Sequence, residues 1–302
     1  MASHKVYLSG QLVAAEDAKI SIFDSAVTLG DTVTDSTRTF AHEPFKLDQH
    51  ISRLYQSMKV ARIDPGIDAD RMTQITLEVL ETNLPLMNAE DDCWIVHNIS
   101  RGLTVHGPDP SQRNPATIII YTAHMDLTGW AKFYTEGCHA VTPMSRVTPS
   151  QSLDPRIKNR SRLPYTLAEM EVKLVDREAQ GVILDIHGNV AENKGGNIFI
   201  VQDGTLKTPT TANCLAGISR ETVLELADKL QIPAIETILQ PYDLYTADEL
   251  FFTSTPYCIM PATKFNGLPV GDGNVGTVTR QLLSAWSELA GIDIVEQARR
   301  QL

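Results

Sequence analysis

The sequence predicts an α+β protein built as two domains, and three observations carry that prediction. The chain has 302 residues, more than one compact core usually holds, so two domains of roughly 130 to 160 residues are expected. Short runs of apolar-polar alternation, the signature of half-buried strands, occur in both halves. Between them lie stretches with apolar spacings of three and four, the signature of amphipathic helices. We place an α+β first domain at 1–126, a linker at 127–137 and a strand-richer second domain at 138–302.

Residues 5–25 alternate as short strands, and K-V-Y-L-S-G-Q-L-V reads as a hairpin turning at Ser9 and Gly10. From Phe45 to Ala61, Leu47, Ile51, Leu54 and Met58 fall at helical spacing, and a second helix follows at Ala69–Thr82. β-branched and aromatic residues then run together at Cys93–Ser100 and Ala116–Thr122, which marks two strands. Periodicity is lost from Asp126 to Gly137, hence the linker. Beyond it, 163–180 reads as a helix, and 181–209 as strands punctuated by turns at His187-Gly188-Asn189 and Asp203-Gly204. Ser219–Leu230 is a helix with Ser219 as its N-cap, and a last helix spans Val275–Leu289. No internal repeat is present.

Composition narrows the function. Acidic residues number 37 against 26 basic ones, a net charge of -11, which argues against a nucleic-acid partner. No apolar run reaches the ~18 residues of a membrane span, and the opening M-A-S-H-K-V-Y-L lacks the pattern of a signal peptide, so a cytoplasmic protein is expected. Cys93, Cys138, Cys214 and Cys258 show no C-x-x-C spacing. Neither a metal site nor a disulfide framework is expected, and the four read as packing residues.

The chemistry rests on Lys158 and Glu192, in D-P-R-I-K-N-R-S-R-L-P-Y and G-N-V-A-E-N-K-G-G-N-I-F. An amine able to form a Schiff base, with a carboxylate able to hold a ring nitrogen protonated, is what pyridoxal phosphate chemistry requires. The lysine must be neutral to attack an aldehyde, which calls for burial or a neighbouring cation. Arg156, Arg160 and Arg162 supply positive charge nearby in sequence. Taken without their context, the first segment would be a solvated basic turn and Glu192 a strand-end glutamate.

These segments resemble the class IV aminotransferases, the fold type IV enzymes that use pyridoxal 5'-phosphate. The resemblance extends from about residue 5 to residue 290. It implies a two-domain fold with an α/β-barrel-like C-terminal domain, and homodimers whose sites borrow a loop from the partner. Three features match the family's phosphate cradle. Arg53 falls in the H-x-x-R-L pattern with His50 and Leu54. L-A-G-I-S-R-E-T-V presents the amides of Ile218 and Ser219 at a helix start. Thr255 in T-S-T-P-Y would donate its hydroxyl, with Ser254 and Pro256 toward the substrate.

The substrate signature is mixed. Branched-chain members carry aromatic residues on an early strand where this chain offers Thr34, Ser36 and Arg38. Arg38 would meet a substrate carboxylate or pair with Asp31 or Asp35. Trp94 and Val96 fall where branched-chain members have Tyr and Arg. S-R-G-L-T-V-H-G is similar to the T-R-G-L-T of R-selective amine transaminases, with His106 in the place of their loop arginine, and is an incomplete form of the D-amino-acid enzymes' carboxylate trap. Leu163 stands where a tyrosine usually meets the cofactor's ring oxygen, leaving Arg162 or Tyr165 as substitutes. The expected activity is ping-pong transfer of an amino group from an (R)-amine or D-amino acid to a keto acid. A branched-chain L-amino-acid donor and an aminodeoxychorismate lyase-like reaction are the alternatives, and a non-catalytic cofactor-binding protein is a further rival.

Overall fold

The computed structural model describes residues 3–104 and 114–302. It divides into two compact units, one running through Met125 and including Ile157–Ser161, the other comprising Asp126–Arg156 and Arg162–Leu302.

The first unit contains β1 (Lys5–Leu8), β2 (Gln11–Ala14), α1 (Ser25–Thr28), β3 (Thr32–Phe40), β4 (Glu43–Pro44), α2 (Leu47–Ala61), α3 (Ala69–Asn83), β5 (Cys93–Ser100) and β6 (Thr117–His124). Its strands form one antiparallel sheet in the order β2-β1-β6-β5-β3-β4. The β1–β2 turn puts Ser9 and Gly10 at positive φ, the primed geometry that matches the twist of a hairpin. Helices α2 and α3 lay Ile51, Leu54, Met58, Met72, Ile75 and Val79 against the inward residues of the sheet, among them Ile95, Ile99, Ile118 and Ile120. Strand β3 departs from this pattern. Thr34, Asp35, Thr37, Arg38 and Thr39 are all buried, so their polar groups must be satisfied from within.

The lysine segment joins this unit through backbone pairing. The Thr34 amide donates to the Lys158 carbonyl at 2.8 Å and the Arg160 amide donates to Thr32 at 2.9 Å, with Asn159 bridged to Val33. Residues 158–160 thus act as a short extra strand beside β3. Hydrogen bonding to β3 draws Lys158, which lies in the 138–302 stretch expected to form the second domain, into the first unit.

The second unit opens with α4 (Thr128–Ala131) and α5 (Phe133–Glu136). This stretch is packed rather than an open linker: Ala131, Phe133 and Tyr134 are buried, and the Tyr134 hydroxyl donates to the Tyr257 carbonyl at 2.9 Å. There follow β7 (Cys138–Val141), α6 (Leu163–Val175), β8 (Gln180–Gly181), β9 (Ile183–Leu184), β10 (Val190–Glu192), β11 (Asn197–Gln202), β12 (Thr205–Pro209) and α7 (Ile218–Lys229). The chain ends with β13 (Ala234–Thr237), α8 (Pro241–Tyr245), β14 (Glu249–Ser254), β15 (Cys258–Phe265), β16 (Leu268–Pro269), α9 (Thr277–Ala290) and α10 (Ile294–Arg299). A mixed sheet runs β13-β12-β11-β14-β15-β7-β8, with β16 on β15, while β9 and β10 pair separately. β11, β14 and β15 are buried almost throughout, and Phe199 stacks on Phe251 at 5.1 Å.

Two helix ends and one whole helix differ most from the sequence reading. The helix expected over 163–180 stops at Val175, where Asp176 adopts extended backbone. Gly217, not Ser219, is the N-cap of α7, and α10 was not anticipated. All four cysteines are free and buried. Among the described residues, no helix is long and apolar enough to cross a membrane.

Candidate active site

In the first unit, strand register gathers the candidate substrate residues on the sheet face opposite α2 and α3. Thr34 pairs with Asn98 and Ser36 with Val96, while Arg38 is registered with Trp94. On β6 the neighbours are Ile119, Tyr121 and Ala123. Because side chains alternate along a strand, these positions share one face. Lys158 and Arg160 lie beside Thr34 and Thr32 through the pairing described above. Arg160 Nε donates to Asn98 Oδ1 at 2.9 Å. A cavity of about 320 Å³ is lined there by Gly30, Thr32, Asn98, Ser100, Ile119 and Arg160, among others. The Lys158 amide is anchored to Ser57 Oγ of α2 at 3.2 Å.

Arg38 is 1 % exposed. Its Nε donates to the Thr39 carbonyl at 3.1 Å, its Nη2 is 3.7 Å from Asp92, and its guanidinium stacks over Phe40 at 4.1 Å. Arg38 is therefore buried beside Asp92, whereas the pairing expected for it was with Asp31 or Asp35. Asp31 instead binds Arg101 at 2.6 Å. His106 lies outside the described residues.

The opposite face of β3 carries a group that the sequence reading missed. The Asp35 carboxylate, fully buried, receives Arg53 Nε and Nη2 at 2.8 Å each and faces His50 Nδ1 at 2.7 Å. Burial alone would raise the Asp35 pKa, but the charges of Arg53 and His50 and their hydrogen bonds outweigh it and hold the carboxyl well below the usual range. Burial lowers the pKa of His50, against the pull of Asp35. Arg53 is thus held by a two-pronged carboxylate contact, the geometry its planar fork favours.

The second unit assembles the other candidates through hydrogen bonds. Glu192, 6 % exposed at the end of β10, accepts from the Tyr165 hydroxyl at 2.5 Å and from the Leu215 amide at 2.9 Å. Burial and the Glu192 charge push the Cys214 thiol up to about 12. Asn197 donates to the Leu215 carbonyl at 2.9 Å and fixes the loop that leads to Ile218 and Ser219. A Cβ on Gly217 would stand 2.1 Å from Asn197 Oδ1, so only glycine lets the loop pass. Ser254 Oγ donates to the Gly195 carbonyl at 2.5 Å, which ties the turn containing Thr255 and Pro256 to the loop after Glu192.

Two helix starts in this unit contrast. At α9, Glu249 accepts from the Val278 and Thr279 amides at 2.9 and 2.7 Å. At α7, the N-cap is Gly217, which brings no side chain to accept from the amides of Ile218 and Ser219. A helix start without a capping side chain suits a phosphate. Each unit by itself carries donor types that fit pyridoxal 5'-phosphate: the second has a buried carboxylate suited to a ring nitrogen and this helix start, and the first has an amine suited to an aldehyde and a carboxylate-held arginine. Tyr165 gives its hydroxyl to Glu192, and Arg162 stacks over the Tyr165 ring at 3.8 Å.

Comparison with known proteins agrees with this chemistry. The family model described as amino-transferase class IV matches residues 32–265. A protein of Methanocaldococcus jannaschii is 34% identical over 94% of this chain and 96% of its own length. The branched-chain amino acid aminotransferase of Escherichia coli has a TM-score of 0.87 and 26% identity, covering 95% of this chain and 94% of that one. The T.th. branched-chain amino acid aminotransferase, solved with pyridoxamine 5'-phosphate, has a TM-score of 0.84 and 26% identity, covering 96% of this chain and 95% of that one.

Proposed function

The chain belongs to the class IV aminotransferases, and from that premise we propose that it moves the amino group of a branched-chain L-amino acid to a keto acid. It is an aminotransferase whose cofactor is pyridoxal 5'-phosphate. The observation that carries the donor reading is near full-length similarity to solved enzymes named for branched-chain amino acids. An (R)-amine or D-amino-acid donor, the first expectation from the sequence, keeps one specific support: S-R-G-L-T at residues 100–104, with small Thr34 and Ser36 on the candidate substrate face.

The roles we assign follow from the chemistry of each side chain. When bound, the cofactor supplies an aldehyde for amines and an electron-withdrawing ring. Lys158 is the attachment point, and its Nζ takes the proton from the donor carbon and later returns one to the acceptor. Arg53 is the first unit's phosphate ligand. Glu192 from the second unit holds the ring nitrogen protonated, and the amides of Ile218 and Ser219 with the Thr255 hydroxyl receive the phosphate. Thr34, Ser36, Trp94 and Val96 shape the donor side chain's surroundings, as do Ser254 and Pro256 from the second unit. The keto product leaves before the acceptor binds, a ping-pong order.

We further take the protein to act as a homodimer. Support comes from α6, where Leu163, Leu167, Met170 and Leu174 are exposed at helical spacing as one apolar stripe.

The visible absorption of the purified protein, followed after each donor is added without acceptor, tests the function. L-leucine is expected to bleach the cofactor band, and 2-oxoglutarate to restore it. Bleaching by D-alanine or R-1-phenylethylamine, with L-leucine inert, would overturn the donor reading and favour its rival. Lys158→Ala is expected to abolish turnover; normal turnover by that variant removes the assignment of the lysine.

A further inference from the structure

Tyr165 reaches Glu192 from the first turn of α6. Its ring packs against the cluster of Val147, Ala168, Ile183 and Ala191 and lies beneath the Arg162 guanidinium, and these contacts hold the hydroxyl toward Glu192. Each Glu192 oxygen accepts from a donor, and these two donors differ in kind. The Leu215 amide is part of the backbone, whereas the phenol can be removed by deleting a single oxygen atom.

A hydrogen bond to a buried carboxylate stabilises its charged form and weakens its hold on a proton. That matters when the carboxylate faces a protonated ring nitrogen, because the two groups compete for one proton. A carboxylate stripped of donors in a buried setting takes the proton for itself; one that already accepts from a phenol leaves it on the nitrogen. Tyr165 can sustain this bond, since burial, then the Glu192 charge and the hydrogen bond itself, raise its own pKa and keep the proton on its oxygen.

We propose that Tyr165 is a positioning residue for Glu192: by donating to one carboxylate oxygen, it keeps the proton that Glu192 shares with the cofactor on the ring nitrogen. This rests on the reading of Glu192 as the partner of that nitrogen. The phenol sits seven residues after the lysine, not five, and serves the partner of the ring nitrogen rather than the ring oxygen that a tyrosine was expected to meet.

The test is nitrogen-15 NMR of holoenzyme reconstituted with cofactor labelled at the ring nitrogen, in the wild type, Tyr165→Phe, Glu192→Gln and the double variant. The wild type is expected in the upfield, protonated range and Glu192→Gln in the downfield, neutral range. Tyr165→Phe should move downfield from the wild type, and the double variant should coincide with Glu192→Gln. A merely structural tyrosine would change thermal stability without moving the resonance. If Glu192→Gln moves the signal but Tyr165→Phe overlays the wild type, the proposal is overturned. If Glu192→Gln itself leaves the signal in place, the underlying assignment of Glu192 falls, and the proposal with it.

Discussion

Asp35 is a fully buried carboxylate whose contacts explain why an arginine on α2 is held in one geometry. Asp35→Asn keeps the shape but removes the charge that grips the Arg53 fork. We expect it to weaken binding of pyridoxal 5'-phosphate about tenfold, about 1.4 kcal/mol, and to leave pyridoxal, which lacks the phosphate, unaffected; titration with both compounds reads the difference. Strand alternation already held part of this answer. Asp35 and Arg38 are three residues apart on β3, so they point to opposite faces, and the pairing considered for them was excluded by a period of two. What the sequence could not supply was the identity of each face's partner. Asp35 meets Arg53 and His50, Arg38 meets Asp92, and these contacts depend on helix placement. His97 belongs to the same buried layer, donating or accepting at Thr76 Oγ1 at 2.8 Å. Burial lowers its pKa to about 4 from 6.5. An unfolded chain therefore binds a proton in that window that the folded protein refuses, and stability falls as pH drops through it, while above it the full stability is present. The loss reaches about 3 kcal/mol; urea denaturation over a pH series should show it, and His97→Gln should flatten the slope.

At the level of elements, the start of α7 shows how a good local signal can be misread. Serine is a strong N-cap, so Ser219 was the natural choice. The helix begins two residues earlier, capped by Gly217, where Asn197 Oδ1 stands so close that any side chain would collide with it. Gly217 has ordinary negative φ, so the constraint is steric. Gly217→Ala is expected to displace the loop and the first amides of α7. It should cost about 1–3 kcal/mol in stability and raise the cofactor dissociation constant, both measurable by thermal unfolding and fluorescence titration. Helices α2 and α3 were legible because one apolar face of each packs on a sheet, which imprints the helical period on the sequence. β11, β14 and β15 are buried on both faces, so alternation is erased and only composition remains. The same is true of the stretch taken as a linker: α4 and α5 are too short for a period to register.

For the whole molecule, the outward stripe on α6 gives a test of assembly. Replacing Leu167 and Met170 with glutamate places charges in it without touching Ala168 or Val172, the helix's buried positions. We expect the double variant to sediment as a monomer where the parent sediments as a dimer, and identical sedimentation would remove α6 from the interface. The two-domain plan itself was legible from chain length and from the change in pattern along it. The excursion of residues 157–161 was not, since backbone pairing to a strand edge leaves almost no mark on side-chain identity. That excursion has a consequence for biosynthesis. A ribosome completing β6 has not yet completed the first unit, because the piece that borders β3 arrives only after Asp126–Arg156 has been made. A nascent chain halted at the end of β6 should leave the Thr34 amide open to solvent exchange, and release from that state requires translation to run on past Ser161. The residue on which the chemistry depends is therefore also the one whose arrival closes the first folding unit.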